Sequence, residues 1–179
     1  MEKIKDIDPN RFVFLDETSA NCGMTRPYGR APKNERIYEY VPDVRFKRTS
    51  LISTVRLNGD SVPFMFKGTL DGDLFIGYIE QYLAPTLKEG DILVLDSCSA
   101  HKKYALDAVY EQGADIWFLP RYSPDFNPCE NAWSKTKSTL RKLKARTEEA
   151  LLMSMGTALE FNSKDLTGWF MHCGYSVNI

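Results

Sequence analysis

Two uninterrupted apolar runs, Phe12 to Leu15 in "RFVFLDET" and Ile92 to Leu95 in "GDILVLDS", each end on an aspartate. Runs of this length fit strands covered on both faces, which are typically central and often parallel. Asp16 and Asp96 are therefore expected at the carboxyl ends of two buried strands. Between the runs, "TSLISTVRLNGDSVPFMFKG" predicts a hairpin. Asn58-Gly59 supplies the positive φ angles of a tight turn, and Pro63, which cannot donate to a neighbour, puts its strand at or near an edge. A helix is predicted from about Asp71 to Leu87, with Phe75, Ile79, Tyr82 and Leu83 as its apolar stripe. Ser99 is a candidate N-cap for the next helix, which carries Tyr104, Ala105, Ala108 and Val109 and stops at Gly113. "DIWFLP" then predicts one more short buried strand, followed by two helices.

Strand and helix alternate through the second half, which predicts an α/β domain with parallel pairing there. No repeat, low-complexity tract or linker interrupts the chain, so residues 1–179 read as one domain. Residues 18–48 are the least regular, with three prolines and seven basic residues, and resemble an insertion or a binding arm.

Composition changes this picture little: 43% hydrophobic and 26% charged residues suit an ordinary soluble protein. There is no apolar run long enough to cross a bilayer and no apolar core of a signal peptide at the start, so the cytoplasm is the expected location. Cys22, Cys98, Cys129 and Cys173 are widely spread, which argues against a disulfide framework or a zinc site built with His101 or His172. A serine or cysteine hydrolase finds no support, because there is no Gly-x-Ser-x-Gly elbow and only two histidines exist. The net charge of −1 does not announce a nucleic-acid binder, yet the stretch 135–146 holds six basic residues and no acid.

The stretch "SPDFNPCENAWSKTK" adds a third acid. Asn127 suits an N-cap, Pro128 the first helical position, and Glu130 could close a capping box. Stepping 100° per residue through 128–145 puts Cys129, Trp133, Thr136, Leu140 and Leu143 on the stripe facing the sheet. Glu130 falls at the border of that stripe, at the head of a basic ridge of Lys137, Arg141 and Lys144. Ligands of open α/β sheets bind beyond the carboxyl ends of the strands. If Asp16 and Asp96 lie on neighbouring strands, Glu130 could join them there. Three clustered carboxylates need a cation, and Mg²⁺ is the natural one, with Mn²⁺ able to substitute. Two such ions about 3.5–4 Å apart suit phosphodiester displacement.

With "FLDET", "RPYGRAP", "LVLDSCSAHK" and "LPRYSPDFNPCENAWSKTK" in place, the chain resembles the DDE transposases of the mariner superfamily, in particular the bacterial insertion-sequence branch. "ARTEEAL" and "GWFMHCGY" fit the same branch, and the likeness runs from about residue 11 to 175. It implies a ribonuclease H-like fold with a mixed central sheet flanked by helices. It also implies a metal-binding catalytic triad of Asp16, Asp96 and Glu130. DNA would be cleaved at transposon ends, and the freed 3′-hydroxyl would attack target DNA, usually at TA, with no covalent protein–DNA intermediate. Arg26, Arg30, Lys102, Lys137, Arg141 and Lys144 are candidate DNA contacts, and Ser97 and His101 candidate supports for the acids. Two protomers are expected to pair two ends, with no small-molecule cofactor and no membrane.

The likeness has departures. Ser97 stands where the family often has Asn after the second acid, and Cys129 where an aliphatic residue usually precedes the glutamate. Relatives that transpose carry N-terminal helix-turn-helix modules, whereas here the first catalytic strand is expected about ten residues in. The rival readings are a catalytically silent transposase-derived DNA-binding or oligomerisation module, and another nuclease of the ribonuclease H-like fold.

Overall fold

Strand β1 (Phe12–Ala20) lies at the middle of a five-stranded sheet and sets the arrangement of everything else. The structure, a computed structural model, describes residues 7–43, 45–96 and 103–177, and no side chains at 103–105. The sheet order is β3-β2-β1-β4-β5, with β2 (Thr49–Val55), β3 (Phe64–Lys67), β4 (Ile92–Leu95) and β5 (Asp115–Phe118). The β1/β2 and β2/β3 pairs are antiparallel, whereas β1/β4 and β4/β5 are parallel. The sheet is therefore mixed, and its parallel part is the second half that the alternation predicts.

The apolar runs are continuous because both faces of the sheet are covered. Phe12, Phe14, Ile92 and Val94 point to one face, against α3 (Pro128–Leu143), α4 (Glu148–Ala158) and α5 (Ser163–His172). Val13, Leu15, Leu93 and Leu95 point to the other, against α1 (Gly72–Tyr78) and α2 (Lys103–Glu111). On the first face Phe12, Phe14, Phe170, Tyr175 and Trp117 form a cluster with ring centroids 5.0–6.0 Å apart. Such pairs contribute roughly 0.5–1.5 kcal/mol each beyond the area they bury.

Several expectations shift. The predicted helix over 71–87 starts where expected, with Asp71 as its cap, but it changes winding twice. After α1 it becomes one π-type turn (Ile79–Leu83) and then a 3₁₀ turn (Ala84–Thr86), where Pro85 cannot supply an α-helical donor. The wider turn rotates the stripe: Tyr78 is buried and donates to the Val62 carbonyl at 2.7 Å, while Tyr82 is 46% exposed. The hairpin is looser than Asn58-Gly59 suggests. Pairing stops at Ile52↔Phe64, and only Gly59 of that dipeptide has positive φ (92°). Pro63 does precede the edge strand β3. Strand β5 is not buried, because it is the other edge and Phe118 is half exposed. Three helices follow it rather than two, the third begun by a capping box of Asn162 and Asp165. The Ser99 cap lies outside the described residues, as do the side chains of Tyr104 and Ala105.

The far end of the sheet is tied by a buried ion pair. Arg56 donates from Nη2 to Asp91 Oδ2 at 2.6 Å, and the Lys88 amide donates to the same oxygen at 2.9 Å. Removing one partner of such a pair strands the other charge away from water. Asp91→Ala is expected to destabilise the protein by about 3–5 kcal/mol. A urea midpoint unchanged by that variant would contradict this role for the pair.

Candidate active site

Asp16 is not the end of its strand. The apolar run stops there, but β1 continues to Ala20, paired only with β2 through Asp16↔Ser53 and beyond. On its other side pairing with β4 ends at Phe14↔Val94. Asp16 thus lies mid-strand yet beyond the last β4 bond, on the rim where the two parallel strands separate. Asp96 immediately follows β4. The register Phe12↔Ile92 puts both acids four residues past one paired position, on the face that carries Phe14 and Val94.

Helix α3 brings the third acid. Asn127 caps it, accepting from the Cys129 amide at 3.1 Å, and Pro128 occupies its first position. The Asn127 amide N–H donates to the Pro124 carbonyl, so Glu130 closes no capping box. Cys129, Trp133, Thr136 and Leu140 pack on the sheet as the helical wheel predicts, joined by Ala132. Leu143 departs from it at 48% exposure, because Lys144 ends the helix in the left-handed conformation and the stripe runs past the core. Cys129 fills its place as a buried small hydrophobe, its Sγ 3.6 Å from the Phe14 carbonyl oxygen.

Asp16, Asp96 and Glu130 line one cleft of about 440 Å³, together with residues 119–124 and Asn127. Asp16 is held by donors alone. Its Oδ1 accepts from the Glu17 amide at 2.7 Å, and its Oδ2 accepts from Asn127 Nδ2 at 3.1 Å and Trp133 Nε1 at 3.2 Å. Asn127 and Trp133 are thus site residues that the sequence reading passed over as cap and core. A buried tryptophan needs an acceptor for its indole N–H, and that requirement is the signal that could have found the contact.

Burial, opposed by the Glu17 amide and Trp133 and reinforced by the charges of Glu130 and Asp96, raises the Asp16 carboxyl from its ordinary 3.8 to about 6. Between about pH 4 and 6 the folded protein therefore holds a proton there that the unfolded chain has released. This stabilising contribution is present below about pH 4 and fades as pH rises through 6. A divalent cation in the cleft would reverse the preference. Carboxyl ¹³C NMR is expected to place the Asp16 midpoint near 6 and to move it down on adding Mg²⁺. A midpoint that stays where it is with the metal present would count against ion binding.

The donor set fits a hard cation. A carboxylate offers about four lone-pair sites, and Asp16 uses three. Mg²⁺ needs one or two carboxylates, with water and phosphate oxygens completing its octahedron. Among the described residues no three His, Cys, Asp or Glu side chains are gathered tightly enough to cage an ion by themselves. The cleft instead offers carboxylate oxygens on one open side, with room for water and phosphate oxygens on the other.

Five of the expected basic contacts lie away from the cleft. Arg26 and Arg30 are exposed on the irregular segment after β1, and Lys137, Arg141 and Lys144 run along α3, with Lys144 paired to Glu39. None of these lines the cleft, where the cation among the described residues is Arg121. Ser97, His101 and Lys102 lie outside the described residues.

The comparisons with known proteins agree with this architecture. No curated protein matches the chain. Its fold is similar to that of the Mos1 strand transfer complex, at 13% identity and a TM-score of 0.62, covering 95% of this chain and 56% of that one. It is likewise similar to the mariner Mos1 paired end complex with Mg, at 13% identity and a TM-score of 0.63, covering 91% and 53%. A simian T-cell lymphotropic virus intasome in complex with PP2A regulatory subunit B56 gamma matches at 14% identity and a TM-score of 0.53, covering 83% and 48%. The chain spans about half the length of these proteins. Their shared architecture is the ribonuclease H-like fold, the mixed sheet flanked by helices found here. The family model for DDE superfamily endonucleases matches residues 11–152, and the chain belongs to that family.

Proposed function

We propose that this chain is the catalytic unit of a DNA transposase, with Asp16, Asp96 and Glu130 as a metal-holding triad. It would cut DNA at transposon ends in the presence of Mg²⁺ or Mn²⁺ and join the freed 3′-hydroxyl to target DNA. The observation that carries this reading is the shared cleft: two acids from adjacent parallel strands and one from a helix start, all oxygen donors. The similarity to Mos1 strand transfer and paired end complexes supports the same chemistry.

When bound, divalent ions supply charge stabilisation for the attacking and leaving oxygens of an in-line displacement. The protein's own task is orientation. The Glu17 amide, Asn127 and Trp133 fix the Asp16 carboxylate, and helix α3 fixes Glu130 through its capped start. Rigid elements hold such groups more closely than loops do. Arg121 on the rim and the basic residues of α3 would meet phosphates and position the duplex without reading its sequence. Two protomers would pair two ends, and TA dinucleotides would serve as targets.

The test is cleavage of transposon-end DNA by the chain fused to a DNA-binding region that recognises those ends. Nicks should appear with Mg²⁺, be absent in EDTA, and vanish in Asp96→Asn. Cleavage that persists in that variant rejects the assigned triad. A silent binding module would instead retain DNA without nicking it under any metal.

A further inference from the structure

Tyr122 lies on the rim of the cleft that Asp16, Asp96 and Glu130 line, and two of its properties have no return in stability. Its φ is 60°, in the left-handed region that a bulky residue rarely enters. Its side chain is 99% exposed, so the ring buries nothing against the protein. Strain and a bare aromatic ring at one residue both work against folding, and strained residues of this kind cluster at functional sites.

The surroundings hold this conformation in place. Before Tyr122, the Leu119 amide donates to the Leu95 carbonyl at 2.8 Å, tying the loop to β4. After it, Tyr175 Oη donates to the Phe126 carbonyl at 2.9 Å, and Asn127 is bonded to Asp16. Pro120 and Pro124 stiffen the span between these anchors. The tip is thus a short arch fixed at both feet, presenting Arg121 and Tyr122 side by side at the cleft mouth.

Resting on the reading of the cleft as a DNA-cleaving site, we infer that Tyr122 is a positioning residue that stacks on an unpaired nucleobase next to the scissile phosphate. A phosphodiester held at the three carboxylates leaves its flanking nucleotides at the rim. Arg121 offers charge to a phosphate there, and Tyr122 offers a flat face. Inside a duplex the faces of each base are covered by its neighbours, so a ring on the rim can stack only on a base that has left the helix. Stacking of this kind accepts any base, because every base has a π-face. The cleft is accordingly suited to DNA whose strands have separated at the cut, and Tyr122 holds the separated base.

The experiment uses the full chain and two DNA probes: a plain duplex, and a fork carrying 2-aminopurine at the first unpaired position. Tyr122→Ala is expected to weaken binding of the fork by roughly 5- to 150-fold, the range of one lost base–aromatic stack. Duplex binding and its salt dependence should stay unchanged, since phosphate contacts are intact. Wild-type protein should quench 2-aminopurine fluorescence, Tyr122→Ala should not, and Tyr122→Phe should restore the quench because the ring suffices. Tyr122→Gly should lose the quench while melting no lower than wild type, which separates stacking from a structural role. Equal fork binding by wild type and Tyr122→Ala, or quenching that survives in Tyr122→Ala, overturns the inference. If such protein still nicks DNA with Mg²⁺, the enzymatic reading stands without it. Wild type that quenches correctly but never nicks transposon-end DNA, even when fused to the DNA-binding region that recognises those ends, overturns the enzymatic reading instead.

Discussion

Glu130→Gln is expected to remove Mg²⁺-dependent DNA cleavage while leaving the melting temperature where it was. Glu130 is exposed, makes no capping box, and opens a helix whose start is already secured by Asn127 and Pro128. For the fold its carboxylate adds, beyond an amide of the same shape, only a first-turn charge worth about 0.3–1 kcal/mol, which repulsion from Asp16 opposes. In the cleft the two differ completely, because an amide brings no negative charge to a hard cation. Metal stabilisation of transition-state charge amounts to several kcal/mol, so the loss in rate is on the order of 10³-fold at 1.36 kcal/mol per decade. Cleavage within tenfold of wild type would remove Glu130 from the triad. A large drop in melting temperature would mean that its place is structural after all.

Trp133→Ala has the opposite signature. Trp133 is 3% exposed, packs in the cluster between α3 and the sheet, and donates to Asp16. Truncating a buried tryptophan costs roughly 3–5 kcal/mol, partly as lost burial and partly as the cavity left behind. In a domain of this size each kcal/mol lowers the melting temperature by about 2–4 °C. Stability and cleavage should therefore fall together. Trp133→Phe separates them, keeping most of the volume and removing only the indole donor. One of the three donors that hold the Asp16 carboxylate is then gone, so its midpoint should rise above that of wild type. An unchanged Asp16 midpoint in Trp133→Phe would show that the indole contact does not govern the acid.

These effects were legible in the sequence to different depths. The apolar runs gave away the central strands because burial on both faces leaves no alternation to blur. Asn127-Pro128 gave away the start of α3, since cap and proline are local signals. The extension of β1 past Asp16 was hidden. Beyond the acid only Thr18 and Ala20 are buried, and half-buried strands with small residues look like loop. The winding change at residues 79–86 depends on how Tyr78 packs under Val62, a tertiary contact that periodicity does not carry. Edge and centre are also properties of the sheet rather than of the strand, so "DIWFLP" read as interior. Asn127 and Trp133 escaped as site residues for a related reason. Each has a sufficient local role, as cap or as core, and the second role exists only once Asp16 stands opposite.

The equal offset of the two acids from Phe12↔Ile92 makes the site a matter of odd and even. Successive side chains on a strand alternate faces, so one residue inserted or deleted between Phe12 and Asp16, or between Ile92 and Asp96, sends a carboxylate to the wrong side of the sheet, towards α1 and α2. Two inserted residues restore the side but advance that acid by about 6.6 Å, out of step with its partner. If the two acids act together, length variation is expected to be excluded from these two four-residue intervals and tolerated in the hairpin loop, which no sheet pairing spans.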